Sequence, residues 1–241
     1  RNIIKKFGAL VILIFFISAC DKWIDPNINN DPNNPLDVPL TLLLPSTQAS
    51  LGYCFGGDIQ RPACIWMQQI AGIDAQSSDQ DKYIYIESDL DNSWKWQLYA
   101  GALMDLNTII KKAGNVNPYY RGIATVLMAY SMGNITDLWG DVPYSQAWQG
   151  DKNLKPGFDK QSDLYANLKT MLDSAIADFN KPSKSNVILP VGDDYIYGGD
   201  VDKWKAAAGA LKARFYLHLS NRSTSSYTDA LAALNANSIT G

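Results

Sequence analysis

Histidine is almost absent from this chain: among 241 residues there is only His218, set between Leu217 and Leu219 in a helical pattern. A Ser-His-Asp triad or a histidine-based metal site would have to rest on it alone, so it reads as a packed or helix-surface residue. No Gly-rich phosphate loop occurs, and no acidic run has the central glycine and terminal glutamate of a calcium-binding loop. Acidic pairs do occur, at Asp79 with Asp81, Asp89 with Asp91, Asp193 with Asp194, and Asp200 with Asp202. Glycoside hydrolysis needs two carboxyls opposed across a substrate at roughly 5 to 9.5 Å, which nearness in sequence does not supply. Aspartates in loops form turns and caps, and Asp200 or Asp202 is placed to cap the helix that carries Trp204. The chain is therefore read as a non-enzyme with no catalytic residues, no metal and no cofactor. Basic excess is lacking too: 21 Lys and Arg face 24 Asp and Glu, a poor balance for binding nucleic acid. Strand patterns are few and short, at Tyr83 to Ile86 and Val187 to Leu189.

Long apolar runs are equally scarce, and the one at the start is too short to span a bilayer. Arg1, Lys5 and Lys6 precede an apolar stretch that reaches Ala19, followed by Cys20 and then Asp21 and Lys22. The segment from Phe7 to Ala19 falls well short of the roughly 20 residues a transmembrane helix needs. A basic start, an apolar middle and small residues before a cysteine describe a secretory signal, residues 1–19. Its removal deletes three basic residues and no acidic one, leaving a formal charge of about −6. The end of the apolar run with Ser18, Ala19 and Cys20 resembles the lipobox of bacterial lipoproteins, which implies lipidation of Cys20. One acyl chain binds a membrane only marginally, at about 0.8 kcal/mol per buried methylene, whereas several anchor it durably. Only Cys54 and Cys64 then remain in an exported protein, and whether they pair is left open by the sequence.

From Asp21 to Pro45 the chain is rich in Asn, Asp and Pro, so residues 20–45 read as a lipidated N-terminus and extended tether. Helical signals begin at Ser46. Segments 46–55 and 62–72 suggest a helix pair broken by Gly56 and Gly57. Asn92 to Ala113 carries one apolar stripe through Trp94, Leu98, Ala102, Leu106 and Ile109 and a second through Tyr99, Leu103 and Ile110, so it is contacted on two sides. Pro118 suits the first turn of the next helix. Asp163 to Phe179 and about Asp202 to Leu219 are further helices, and Tyr227 to Asn235 has a short helical pattern. The long segments 76–91, 140–160 and 181–201 exceed ordinary loop lengths and are where function is expected. The result is a mostly α fold of packed helix pairs with long irregular loops and little β. The helical domain, 46–241, reads as incomplete at its C-terminal end.

Several scattered motifs then agree. Asp31 to Pro35 after Cys20, the Trp-rich helix with Leu98, Tyr99 and Asn107, the run Leu138-Trp139-Gly140-Asp141-Val142-Pro143-Tyr144, and Tyr197-Gly198-Gly199-Asp200 leading to Lys203-Trp204 and Leu211-Lys212-Ala213-Arg214 together resemble the SusD/RagB family. That resemblance implies a tetratricopeptide-like α-α superhelix, although helix starts near 92, 118, 163 and 202 keep no fixed 34-residue period. It implies a lipid-anchored protein on the extracellular face of the outer membrane of Bacteroidota. Such a protein binds oligosaccharide, or peptide in RagB-like members, and delivers it to a SusC-like TonB-dependent transporter. A helical scaffold with only core aromatics is the competing reading.

The aromatics favour binding. Seven Trp and thirteen Tyr exceed what a helical core needs, and an aromatic ring can stack on the apolar face of a sugar. Trp94 shares the Leu98 stripe and belongs to the core, while Trp96 points roughly opposite and is expected to be exposed. The resemblance places ligand contacts in the loop before this helix and at its start, which points to Asp79, Lys82, Tyr83, Asn92 and Trp96. Trp139, Asp141 and Pro143 read as a structural helix-exit turn. Trp148 and Tyr195 fit either a loop core or a binding face.

Overall fold

Helix formation starts earlier than the prolines suggest. In the computed structural model, which describes residues 37–237, helix α1 spans Leu40–Tyr53 with Pro39 as its N-cap and Pro45 inside it. Pro45 forfeits one backbone hydrogen bond, but Leu40, Leu43 and Leu44 are buried on the same helix and their burial outweighs that loss. Residues 40–45 are thus helix rather than tether, a correction to the expected boundary at Ser46. The signal segment, Cys20 and most of the tether lie outside the described residues, as do residues 238–241. The chain divides into two units, 1–38 and 39–241, and every helix described here belongs to the second.

Gly56 and Gly57 do not stop the helix. Residues Cys54–Ile59 continue it in wide, π-type turns into α2, Gln60–Trp66. Contacts from other segments hold these turns: Phe55 packs edge-on against Tyr130 at 5.3 Å, and Gln97 Nε2 donates to Asp58 Oδ2 at 2.6 Å. Cys54 is buried in this stretch and Cys64 half-buried, and both thiols are free. Burial, with Asp58 nearby, pushes the Cys54 thiol up to about 11, so it is inert near neutral pH. A short helix α3, Ala75–Asp81, follows.

The expected helix over 92–113 is two pieces. Asn92–Ala102 runs in wide turns to a break at Gly101 (φ −102°, ψ −107°), and regular helix α4 spans Leu103–Ala113. A Cβ on Gly101 would lie 2.7 Å from the Trp96 carbonyl oxygen, so the bend needs glycine. Both stripes read from the sequence are packed: Leu98, Ala102, Leu106 and Ile109 are buried on one, and Leu103 on the other.

A four-residue connection then turns the chain back into α5, Pro118–Trp139, with Pro118 in its first turn. α5 is buried on almost every side and forms the centre of the fold. Its neighbours are α4, α6 (Gln161–Phe179) and α7 (Val201–His218), while α8 (Ser226–Asn237) packs on α7. The helices approach closely where α5 carries Gly122 and Gly133. Cβ atoms there would sit 2.6 Å and 2.5 Å from the rings of Phe179 and Phe215. Asp200 caps α7 by accepting from the backbone N–H groups of Asp202 and Lys203.

The described residues contain no strand. Val142 and Asp159 form one isolated bridge, tying the ends of the 140–160 loop. The expected strand at Val187 to Leu189 lies along the α4–α5 connection, where Val187 N donates to Val116 O and Ile188 N to Asn117 Oδ1. Two such bonds make no ladder. Tyr83, in the other expected strand, has φ +59°, which breaks extended geometry.

One buried ion pair links α5 to α6. Arg121 donates through Nε and Nη2 to the two carboxyl oxygens of Asp178, at 2.7 and 2.6 Å, and Lys181 Nζ adds a third bond at 2.7 Å. Burial by itself would raise the Asp178 carboxyl, but hydrogen bonds from Arg121 and Lys181 outweigh it and hold it below the usual range. A depressed folded-state value stabilises the fold above the unfolded carboxyl value of about 4, and that contribution is lost as pH falls through the folded value. Urea midpoints at pH 7 are therefore expected to be higher for the parent protein than for Asp178→Asn, with the gap shrinking by pH 3. An equal gap at both pH values would show that the pair has no such role.

Candidate ligand-binding site

The segment between α2 and the break at Gly101 carries all five residues expected to touch ligand. Asp79 sits on α3 and Lys82 just after it, Tyr83 begins the irregular stretch, and Asn92 and Trp96 lie in the wide turns. All five are exposed, Tyr83 and Trp96 each by 62%. Trp94 faces inward as expected, half-buried against Tyr99 and Trp139 with ring centroids 4.7 and 5.1 Å away. Trp96 faces outward because the stretch packs its Ser93, Leu98 and Ala102 side. Lys95 Nζ lies 4.8 Å from the Trp96 ring centroid, a cation–π contact on the indole.

The backbone of this segment is held in unusual conformations. Gln68, Ala75 and Tyr83 have φ of +55°, +47° and +59°, three of the four non-glycine positive values among the described residues. Such conformations cost energy and persist where surrounding contacts over-determine them, often at binding sites. The contacts here are specific. Tyr83 Oη donates to the Trp66 carbonyl at 3.2 Å and accepts from Gln68 Nε2 at 3.5 Å, and Gly72 N donates to Asp81 Oδ1 at 3.0 Å. The same segment exposes further apolar residues, Ile73, Ile84 and Ile86.

Sequence reasoning missed two aromatics here. Trp66 and Tyr85 meet edge to face at 4.9 Å, and Trp66 Nε1, Tyr85 Oη and Gln80 Oε1 are buried without a hydrogen-bond partner among the described residues. Buried polar atoms normally find partners. Trp66 ends a helix and Tyr85 sits in an apparent strand, so neither periodicity marks them as neighbours. Burial and Asp89 both raise the Tyr85 phenol above its ordinary value.

The other acidic groups have structural tasks. Asp89 Oδ2 accepts from Ile86 N, Asp193 Oδ2 from Tyr120 Oη, and Asp141 Oδ1 from Gln161 N. Asp159 accepts from Tyr144 N, Ser145 N and Ser145 Oγ; burial opposes its ionised form, yet these bonds hold its carboxyl below the usual range. The Trp139 to Pro143 turn is structural as expected, with Gly140 at φ +76° and Pro143 O accepting from Tyr99 Oη. His218 ties three helices: its Nδ1 is 2.7 Å from Tyr165 Oη, whose proton goes to Asp137 Oδ1, while Arg214 Nε lies 3.5 Å from its Nε2. With the phenol proton committed to Asp137, Nδ1 is the donor and Nε2 the acceptor. A groove of about 720 Å³ between α1, α5 and α7 is lined by Leu51, Phe55, Tyr130, Trp204 and Leu211, and none of the five expected ligand residues reaches it.

Residues 32–240 match the SusD-like family model described as starch-binding associating with outer membrane. The chain belongs to this SusD-like family. Solved structures agree on the fold. A SusD/RagB family protein from Bacteroides thetaiotaomicron matches 85% of the chain at 29% identity with a TM-score of 0.76. A protein described as chitin-binding matches 83% at 24% identity with a TM-score of 0.69, and a SusD homolog from Bacteroides fragilis 82% at 20% identity and 0.60. The match covers 44%, 44% and 41% of those proteins, so this SusD-like chain spans less than half of their length. No curated protein sequence matches it. The mostly α fold expected from the sequence is the fold of this family.

Proposed function

We propose that this SusD-like protein captures oligosaccharide nutrients at the Tyr83–Trp96 ledge and passes them to a TonB-dependent, SusC-like transporter in the outer membrane. The observation that carries the reading is the exposed Trp96 indole, which follows the strained segment that exposes Tyr83, in a chain whose family is described as starch-binding. A sugar ring would stack on the indole face that Lys95 leaves open, with Asp79, Lys82 and Asn92 offering hydrogen bonds to its hydroxyls. The protein works by capture, with no bond made or broken. Acylation at Cys20 would anchor it on the extracellular face and keep the ledge beside its transporter at high effective concentration.

Titration calorimetry against a panel of starch-, chitin- and plant-derived oligosaccharides tests this. At least one should bind, and Trp96→Ala should weaken it by about tenfold or more, as removal of an exposed anchoring aromatic commonly does. Unchanged affinity in Trp96→Ala would remove the ledge from the site. Binding of peptides and of no glycan would replace the oligosaccharide reading with a RagB-like one.

A further inference from the structure

We infer that the cavity beside Trp148 is a second binding site, separate from the Trp96 ledge, for an oligosaccharide that carries carboxylate groups. The cavity holds about 620 Å³, within the usual range for small-ligand sites, and lies between α4, α5, α6 and the 140–160 loop. Trp148 and Tyr144 supply its aromatic wall, Asn107 and Gln149 its amides, and Lys111 and Lys152 its charge. Trp96 does not line it.

The aromatic wall is fixed in advance. Trp148 stacks nearly parallel to Tyr99, at 5.8 Å and 17°, and meets Tyr144 edge-on at 6.1 Å. Its indole N–H donates to the Tyr99 carbonyl at 3.2 Å, so the ring cannot turn without losing that bond. The backbone at Trp148 has φ +55°, the fourth non-glycine positive value and the one outside the 68–83 segment. Asp159 anchors the loop from behind by accepting from Tyr144 N and Ser145 N. A bulky residue in the left-handed region, locked by stacking and by its own N–H, is the kind of preorganised platform that spares a ligand the cost of ordering it.

Charge gives the selectivity. The chain as a whole is acidic, with a formal charge of −3, yet no Asp or Glu lines this cavity. Asp159, which accepts from Ser145 at the base of the loop, is ionised but is not among the residues that line the cavity. Lys111 and Lys152 are exposed and form no ion pair among the described residues. Two uncommitted ammonium groups beside an aromatic wall and two amides match a sugar chain whose rings stack and whose carboxylates pair with lysine. Neutral glycans could accept hydrogen bonds from these lysines but would leave their charge unpaired.

The inference does not depend on the ledge and is tested apart from it. Binding of tri-galacturonate and of maltotriose to the full chain is measured by calorimetry at low and high salt. Tri-galacturonate is expected to bind at least tenfold more tightly than maltotriose, with affinity falling as salt rises. Lys111→Ala with Lys152→Ala, at exposed positions that spare the fold, should abolish that preference, and Trp148→Ala should abolish binding. Trp96→Ala should leave the acidic ligand unaffected, so failure of the ledge reading and failure of this one are distinguishable. Parent-like binding by the double lysine variant, loss of acidic-ligand binding in Trp96→Ala, or no tri-galacturonate binding would each overturn the proposal.

Discussion

Asp194→Ala is expected to lower the melting temperature by roughly 10 °C or more, a loss on the order of 4 kcal/mol for a domain of this size. Asp194 is only 3% exposed, and its two carboxyl oxygens accept four hydrogen bonds. Gln48 Nε2 and Ile196 N donate to Oδ1, at 2.7 and 3.1 Å, and Trp204 Nε1 and Gly199 N to Oδ2, at 2.7 and 2.9 Å. Gln48 in turn accepts from Tyr195 N at 2.7 Å. One side chain therefore joins α1, the 190–200 loop and the start of α7. Alanine would strand two buried side-chain donors and two backbone N–H groups, each costing about 1–3 kcal/mol with incomplete additivity. Asp193→Ala, which removes one bond to Tyr120 Oη, serves as the comparison and should cost much less. Equal melting temperatures for the two variants would show that the hub does not hold the loop.

Gly199→Ala is expected to destabilise the same loop by about 3 kcal/mol or more, and Gly198→Ala by only about 1 kcal/mol. Both glycines have positive φ, +64° at Gly198 and +80° at Gly199, so each substitution carries the left-handed penalty. They differ in space. A Cβ on Gly199 would lie 1.8 Å from the Pro190 carbonyl oxygen, which is backbone and cannot swing away, whereas a Cβ on Gly198 meets nothing within 4 Å. Denaturant unfolding of the two variants checks this, and a Gly199→Ala cost no larger than that of Gly198→Ala would refute the packing argument.

These two predictions show where reading the chain residue by residue stops. Asp193 and Asp194 are an ordinary turn pair in sequence, yet one bonds a single tyrosine and the other organises three elements, because only folding brings Gln48 and Trp204 to it. The helices around α5 were legible since their apolar periodicity is long and their capping residues, Pro118 and Asp200, act locally. The start of α1 was misplaced because Pro45 is a strong local signal against helix, and the burial of Leu40, Leu43 and Leu44 that overrides it is tertiary. Gly56 and Gly57 misled for the same reason: contacts from Tyr130 and Gln97 hold wide turns where a stop was expected.

For the proposed binding surface, sequence determined that Trp96 faces away from the Trp94–Leu98 stripe, because side-chain direction along a helical stretch follows from spacing alone. Family-order motifs likewise placed the chain among SusD-like proteins. Only the tertiary structure decided that polar atoms of Trp66, Gln80 and Tyr85 are buried without partners among the described residues, and that Trp148 is locked against Tyr99 beside a cavity bearing Lys111 and Lys152. Those pairings join residues tens of positions apart. Their geometry depends on strained loop backbone, which no periodic pattern encodes.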